Sequence, residues 1–150
     1  MTATGKALPG ISYVMPVLNE AAYVENAVRT VLAQDYEGEK EVVLALGPST
    51  DGTDELVARL IEDDQRIRTV HNPDVDIPIG LNLAIRASTH PIIVRVDAHS
   101  ELEPGYTRAA IDTLERTGAV NVGGVMRARG KTPFQSAVAR AYNSKFGLGG

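Results

Sequence analysis

Apolar residues in this chain occur in two alternating forms: short, nearly continuous β-prone runs, and longer stretches in which apolar groups return every three or four positions. The first run, ISYVM at 11–15, is stopped by Pro16, and Asn19 offers a side-chain cap to the segment behind it. In that segment Val24, Ala27, Val28, Val31 and Leu32 share one helical face while Glu25, Asn26 and Arg29 lie off it, which predicts a helix lying on a sheet. The run EVVLAL at 41–46 has the unbroken apolar character of a strand covered on both faces, and Gly47-Pro48-Ser49 ends it abruptly. Asp54 and Glu55 open a helix carrying Leu56, Val57, Leu60 and Ile61, and a strand follows at 67–71. The pattern then predicts a helix at 79–87, a strand at 91–96, a helix at 106–117 after Pro104 and a strand at 120–125. Thr132-Pro133-Phe134-Gln135 has the form of a capping box with proline at the first helical position, opening a helix through about Tyr142.

Strands alternating with helices predict an α/β fold around a mainly parallel sheet, which binds ligands beyond the carboxyl ends of its strands. No repeat or low-complexity segment interrupts the pattern, so residues 11–150 are read as one domain behind a tail at 1–10.

Composition narrows the function classes. With 43% hydrophobic and 23% charged residues the chain belongs with compact domains rather than disordered ones. A net charge of -4 with scattered Lys and Arg argues against a nucleic-acid surface. Having no cysteine, the chain has no disulfide, thiolate nucleophile or zinc-thiolate site, so any metal must use oxygen or imidazole ligands. No stretch approaches the roughly 18 apolar residues that span a bilayer, and 1–10 lacks the apolar core of a secretory signal. The expected location is cytoplasmic, or at the cytoplasmic face of a membrane touched only through a C-terminal part beyond this chain.

Three polar segments follow predicted strands: PVLNE at 16–20, GPSTDGT at 47–53, and Asp97-Ala98-His99. If the last continues a strand, Asp97 and His99 fall on one side of the backbone and converge on one cation; the plainer alternative is a helix cap and a surface histidine. A divalent cation is useful where a diphosphate leaves, because it neutralises charge growing on the leaving oxygens. Other motifs carry less. Gly124 to Thr132 has one residue too many for a phosphate-binding P-loop, His71 and His90 lack acidic partners at metal-site spacing, and Gly147-x-Gly149-Gly150 has no helix behind it.

The ordered series PVLNEAAYVENAVRTVLAQDY, GPSTDGT, GLNLAI and VRVDAHS resembles family 2 glycosyltransferases of the GT-A fold, from about Ile11 to the end of the chain. With the following AVNVGGVMRARGKTPFQSAVARAYNSKFGLGG it is similar to bacterial exopolysaccharide glucosyltransferases of the succinoglycan type. The resemblance implies a Rossmann-like α/β/α sandwich, here in its nucleotide-sugar-binding part. It implies inverting transfer of a hexose, glucose from UDP-glucose, to a glycan or lipid-linked acceptor in polysaccharide biosynthesis.

Position by position, Pro16, Val17 and Glu20 match the loop that lies against the nucleotide's base and ribose in that family. Asp97 and Ala98 match the start of its Asp-x-Asp motif, and His99 takes the place of the metal-binding second carboxylate. A neutral imidazole there shifts the expected cofactor from Mg2+ toward Mn2+, with binding that weakens in acid because a protonated ring cannot ligate. Asn82 belongs to GLNLAI, where Leu81 stands in place of a frequent arginine, and Gly47 stands in place of an acidic residue that commonly helps recognise uracil. Ser49, Asp51 and Thr53 keep the second loop, either as ligand contacts or as a turn and helix start.

An inverting transfer also needs a carboxylate base for the acceptor hydroxyl. Asp112 and Glu115 fall on an expected solvent-facing helix, so no catalytic residue is assigned and the base is expected beyond Gly150. Two further readings stand beside this one: a non-catalytic nucleotide-sugar-binding fragment, and a nucleotidyltransferase. The second is disfavoured because 16–20 lacks the Gly-rich basic loop of those enzymes.

Overall fold

The computed structural model describes residues 7–147; Leu148, Gly149 and Gly150, and with them most of the closing glycine motif, lie outside the described residues. Contacts divide the chain into two compact units, one ending at Arg108 and one beginning at Ala109.

The first unit contains four strands, β1 (Ile11–Val17), β2 (Lys40–Leu46), β3 (Ile67–His71) and β4 (Ile92–Arg95), all parallel and ordered β3-β2-β1-β4. Helices α1 (Val24–Leu32), α2 (Thr53–Asp63) and α3 (Ile77–Ala87) connect them, and α4 (Tyr106–Thr117) begins at this unit's end. The connections through α1 and α2 step outward from β1 to β3, whereas the one through α3 returns across the sheet to β4. Parallel crossovers are right-handed, so α1 and α2 cover one face and α3 the other.

Alternation along the strands divides the core accordingly. Val14, Val43 and Ala45 pack with Ala84 of α3, with Val70 and Leu81 partly buried against them. Tyr13, Met15, Val42 and Leu44 point to the opposite face and are fully buried, as are Val24, Val28 and Val31 of α1. A Cβ on Gly80 would lie 2.6 Å from Asn72 Nδ2 and 3.3 Å from Ala45 Cβ, so glycine is what lets α3 settle this close to the sheet.

Several boundaries differ from those read in the sequence. β1 runs through Pro16, although β1 is a central strand. The Val17 carbonyl accepts from Gly47 on the β2 side and the Val14 carbonyl from Val96 on the β4 side, so backbone parity turns Pro16 toward β4. Paired residues of β4 end at Arg95 opposite Val14, and the missing N–H costs no ladder bond. Asn19 does not cap α1, which starts behind Tyr23 with no side-chain cap. α3 begins two residues earlier than expected because the Asp76 side chain caps it and Pro78 suits its first turn.

In the second unit the capping box is formed as expected: Thr132 Oγ1 accepts the Gln135 N–H, Gln135 reaches back to the Thr132 N–H, and α5 spans Pro133–Tyr142. The strand expected at 120–125 is not formed. Those residues have no regular structure and Val120 and Val125 are exposed; β propensity makes a strand only where a neighbouring ladder takes the backbone groups. No helix among the described residues is long and apolar enough to cross a membrane.

Candidate functional site

Strand order reverses between β1 and β4, since the chain builds outward on one side of β1 and then resumes on the other. Such a switch point leaves a crevice outside the carboxyl ends of the two strands, because their following loops diverge to opposite faces. The loops after β1, β2 and β4 carry the three polar segments.

The first two loops are locked together. Asn19 adopts a left-handed conformation with φ 53°, one that asparagine tolerates better than most residues. From there its Oδ1 accepts the Thr50 N–H at 2.8 Å while its own N–H donates to Ser49 Oγ at 3.1 Å. Asp51 accepts from the Ala21 N–H at 3.1 Å and from the hydroxyl and N–H of Thr53 at 2.5 and 3.1 Å. The Thr53 hydroxyl, joined by the Ala21 and Thr53 amides, holds the Asp51 carboxyl below its usual range. Thr53 Oγ1 also accepts the Glu20 N–H at 2.9 Å.

The loop after β4 arrives by a different route. Ser100 N–H donates to the Asp97 carbonyl at 2.8 Å, so Asp97-Ala98-His99-Ser100 is a turn. The expectation that Asp97 and His99 share one side of an extended strand is therefore corrected: β4 ends at Arg95, and strand alternation no longer applies two residues later. Buried Val96 and Ala98 anchor the turn, while Asp97 is half-buried and His99 exposed. Beyond it, Asn26 Nδ2 donates to Glu101 at 2.7 Å, Thr30 Oγ1 accepts the Leu102 N–H at 3.2 Å, and buried Gln34 bridges Glu103 and Thr107. Polar residues of α1 and of the turn behind it thus hold this loop.

Across the switch point, His99 Nδ1 lies 3.0 Å from Glu20 Oε1, joining residues from the loops after β1 and β4. In the same turn as His99, Asp97 Oδ1 accepts from Arg95 Nη2 at 3.1 Å and Nε at 3.2 Å, and Oδ2 makes no hydrogen bond among the described residues.

Of the residues singled out in the sequence, Glu20, Asp97 and His99 come to this crevice. Val17 is only 2% exposed and its carbonyl is taken by the Gly47 N–H; Pro16 is half-buried at the strand end. The Ser49 hydroxyl is spent inside the loop, between the Asn19 N–H and the Gly47 carbonyl. Asn82 lies exposed within α3, and no hydrogen bond joins it to these loops. The roles of Asn19, Arg95 and Gln34 were not read from the sequence. Only Arg95 had a signal there, a cation two residues before Asp97.

Asp97 and His99 offer a cation at most a carboxylate and an imidazole, and no cluster of three or more acidic, His or Cys ligands occurs among the described residues. Two donors do not complete a structural metal site, but they fit a cation whose remaining ligands are diphosphate oxygens and water.

Comparison with known proteins bears on the family and the fold. The description "Glycosyl transferase family 2" matches residues 12–148. The chain is 34% identical over 139 residues to the succinoglycan biosynthesis protein ExoA of Rhizobium meliloti (strain 1021), covering 91% of this chain and 42% of that protein. The mannosyltransferase PcManGT of Pyrobaculum calidifontis, solved in complex with GDP-Man and Mn2+, is similar with TM-score 0.66 and 26% identity over 89% of this chain and 40% of that one. S. aureus TarS 1-349 shares the fold with TM-score 0.65 at 19% identity, over 81% of this chain and 40% of that one. This chain therefore spans less than half the length of the relatives it matches.

Proposed function

The chain belongs to glycosyl transferase family 2 and has the α/β fold of the GT-A type, and from that premise we propose that it is the nucleotide-sugar-binding part of an inverting hexosyltransferase. The donor in this reading is UDP-glucose, and the acceptor a glycan or lipid-linked saccharide in polysaccharide biosynthesis on the cytoplasmic side. The observation that supports the reading is the meeting of Glu20 and His99 at the switch point between β1 and β4, with Asp97 in the same turn as His99, within a segment matched by the family from 12 to 148.

The loops after β1 and β2, latched through Asn19 and Asp51, form one wall for the nucleotide. In this reading Asp97 Oδ2 and His99 Nε2, neither of which has a hydrogen bond among the described residues, are the atoms left for the diphosphate side, and Arg95 holds the Asp97 carboxylate through its other oxygen. A divalent cation bound there, Mn2+ in this reading, supplies positive charge to the leaving diphosphate. The P. calidifontis mannosyltransferase, solved in complex with GDP-Man and Mn2+, supports the cation, and the same complex favours GDP-mannose as the competing donor. The acceptor-side base is assigned to sequence outside this chain, as its coverage of 42% of the R. meliloti protein allows.

Calorimetric titration of UDP and of GDP, each with and without Mn2+, tests the reading. The expected result is Mn2+-dependent UDP binding that is lost in Asp97→Ala and His99→Ala. Equal UDP affinity with and without metal overturns the metal assignment, tighter GDP binding replaces the donor, and turnover of UDP-glucose by these 150 residues overturns the assignment of the base.

A further inference from the structure

We infer that Glu20 is a positioning residue for His99: its carboxylate commits the neutral imidazole to the Nδ1–H tautomer and so leaves Nε2 as the nitrogen that ligates the cation. This rests on the reading of His99 as a metal donor. It changes the role of Glu20 from a contact with the nucleotide to a residue that acts through the ring.

A carboxylate oxygen only accepts, so at 3.0 Å from Glu20 Oε1 the Nδ1 atom carries the hydrogen, and in the neutral ring Nε2 then keeps the lone pair. The ring is 61% exposed, whereas the Glu20 side chain is 19% exposed, and Nε2 has no hydrogen bond among the described residues. The ring is therefore gripped on one edge and open on the other.

The grip is itself built. The Glu20 N–H is held by Thr53 Oγ1 at 2.9 Å, the next amide by Asp51 at 3.1 Å, and the Glu20 carbonyl accepts from Tyr23 and Val24, each at 2.9 Å. A backbone fixed on both sides of its Cα presents the carboxylate to His99 from a set direction. A carboxylate on the far nitrogen of a ligating histidine fixes ring orientation and raises its basicity, and losing such a partner typically weakens metal binding about 10–100-fold.

The test combines 15N-detected imidazole spectra of the metal-free chain, recorded where the ring is neutral, with Mn2+ titration in the presence of UDP. Expected are an Nδ1–H pattern for His99 in the wild type, a mixture of tautomers in Glu20→Ala, and Mn2+ affinity about 10-fold or more weaker in that variant. An Nε2–H pattern in the wild type, which requires no variant to fold, overturns the inference. So does unchanged Mn2+ affinity in Glu20→Ala when His99→Ala abolishes binding. If His99→Ala binds Mn2+ as the wild type does, the metal reading of His99 fails, whatever the tautomer.

Discussion

The two ends of the sheet use the same residue types to opposite purposes. At the amino end, Glu41 is buried to 6% exposure and every hydrogen-bonding direction is filled. Ser12 Oγ donates to it at 2.6 Å, Arg68 Nη2 at 2.6 Å, and the Thr89 N–H and hydroxyl at 2.6 and 3.0 Å. At the carboxyl end, Asp97 is 40% exposed with one oxygen unengaged, and His99 is 61% exposed with one nitrogen unengaged. Burial pushes the Glu41 carboxyl up, but the Ser12, Thr89 and Arg68 bonds outweigh it and bring it down to about 2. A carboxylate whose partners are all internal ties strands together and is closed to any ligand. One that keeps a lone pair toward a crevice contributes little to stability and stays available.

The largest test of that contrast is Glu41→Ala, which strands Arg68 and the Ser12 and Thr89 donors. Stability is expected to fall by about 3 kcal/mol in urea titrations, with UDP binding by the folded fraction unchanged. A loss below about 1 kcal/mol would reduce this end to an ordinary surface ion pair. Acid sharpens the same point. Because the folded state keeps Glu41 ionised to about 2, below its ordinary 4.5, the unfolded chain takes up the proton first. Its stabilising effect is complete above 4.5 and fades as pH falls toward 2, and Glu41→Gln should flatten the stability profile across that window.

At the opposite end, Asp97→Ala is expected to weaken Mn2+-dependent UDP binding at least about tenfold, or 1.4 kcal/mol. Its urea midpoint should not move, because the pair with Arg95 is exposed on both sides. A shift of the midpoint comparable with that of Glu41→Ala would erase the contrast. Ser12→Ala leaves the His90 N–H without its acceptor and removes one donor to Glu41, for a loss of about 1 kcal/mol read by the same titration. The smallest effect is expected from Asp51→Ala. Amide exchange at Ala21 and Thr53 should quicken and UDP affinity fall a few-fold; unchanged exchange would show that the loops do not depend on this carboxylate.

Periodicity located the elements of the first unit because its two signals, alternation and the helical repeat, are consequences of strands and helices that pack on the two faces of one sheet. The capping box at Thr132 was legible for a similar reason, since both partners lie within four residues. The segment 120–125 was misread because its valines state a preference that only a paired neighbour fulfils. Asn19 was misread as a cap because asparagine serves equally in a left-handed turn, and its partners lie 30 residues away in the second loop.

By itself the sequence determined the order and type of the elements of the first unit, the carboxyl-end placement of the polar loops, and the motif series that marks the family. These are local properties, written in spacing and turn chemistry. Tertiary structure alone decided that β4 returns beside β1, and therefore that Glu20 and His99, 79 positions apart, share a hydrogen bond. It also decided which carboxylates are sealed and which remain open, because burial is a property of the packed sheet and not of the residue that happens to sit in it.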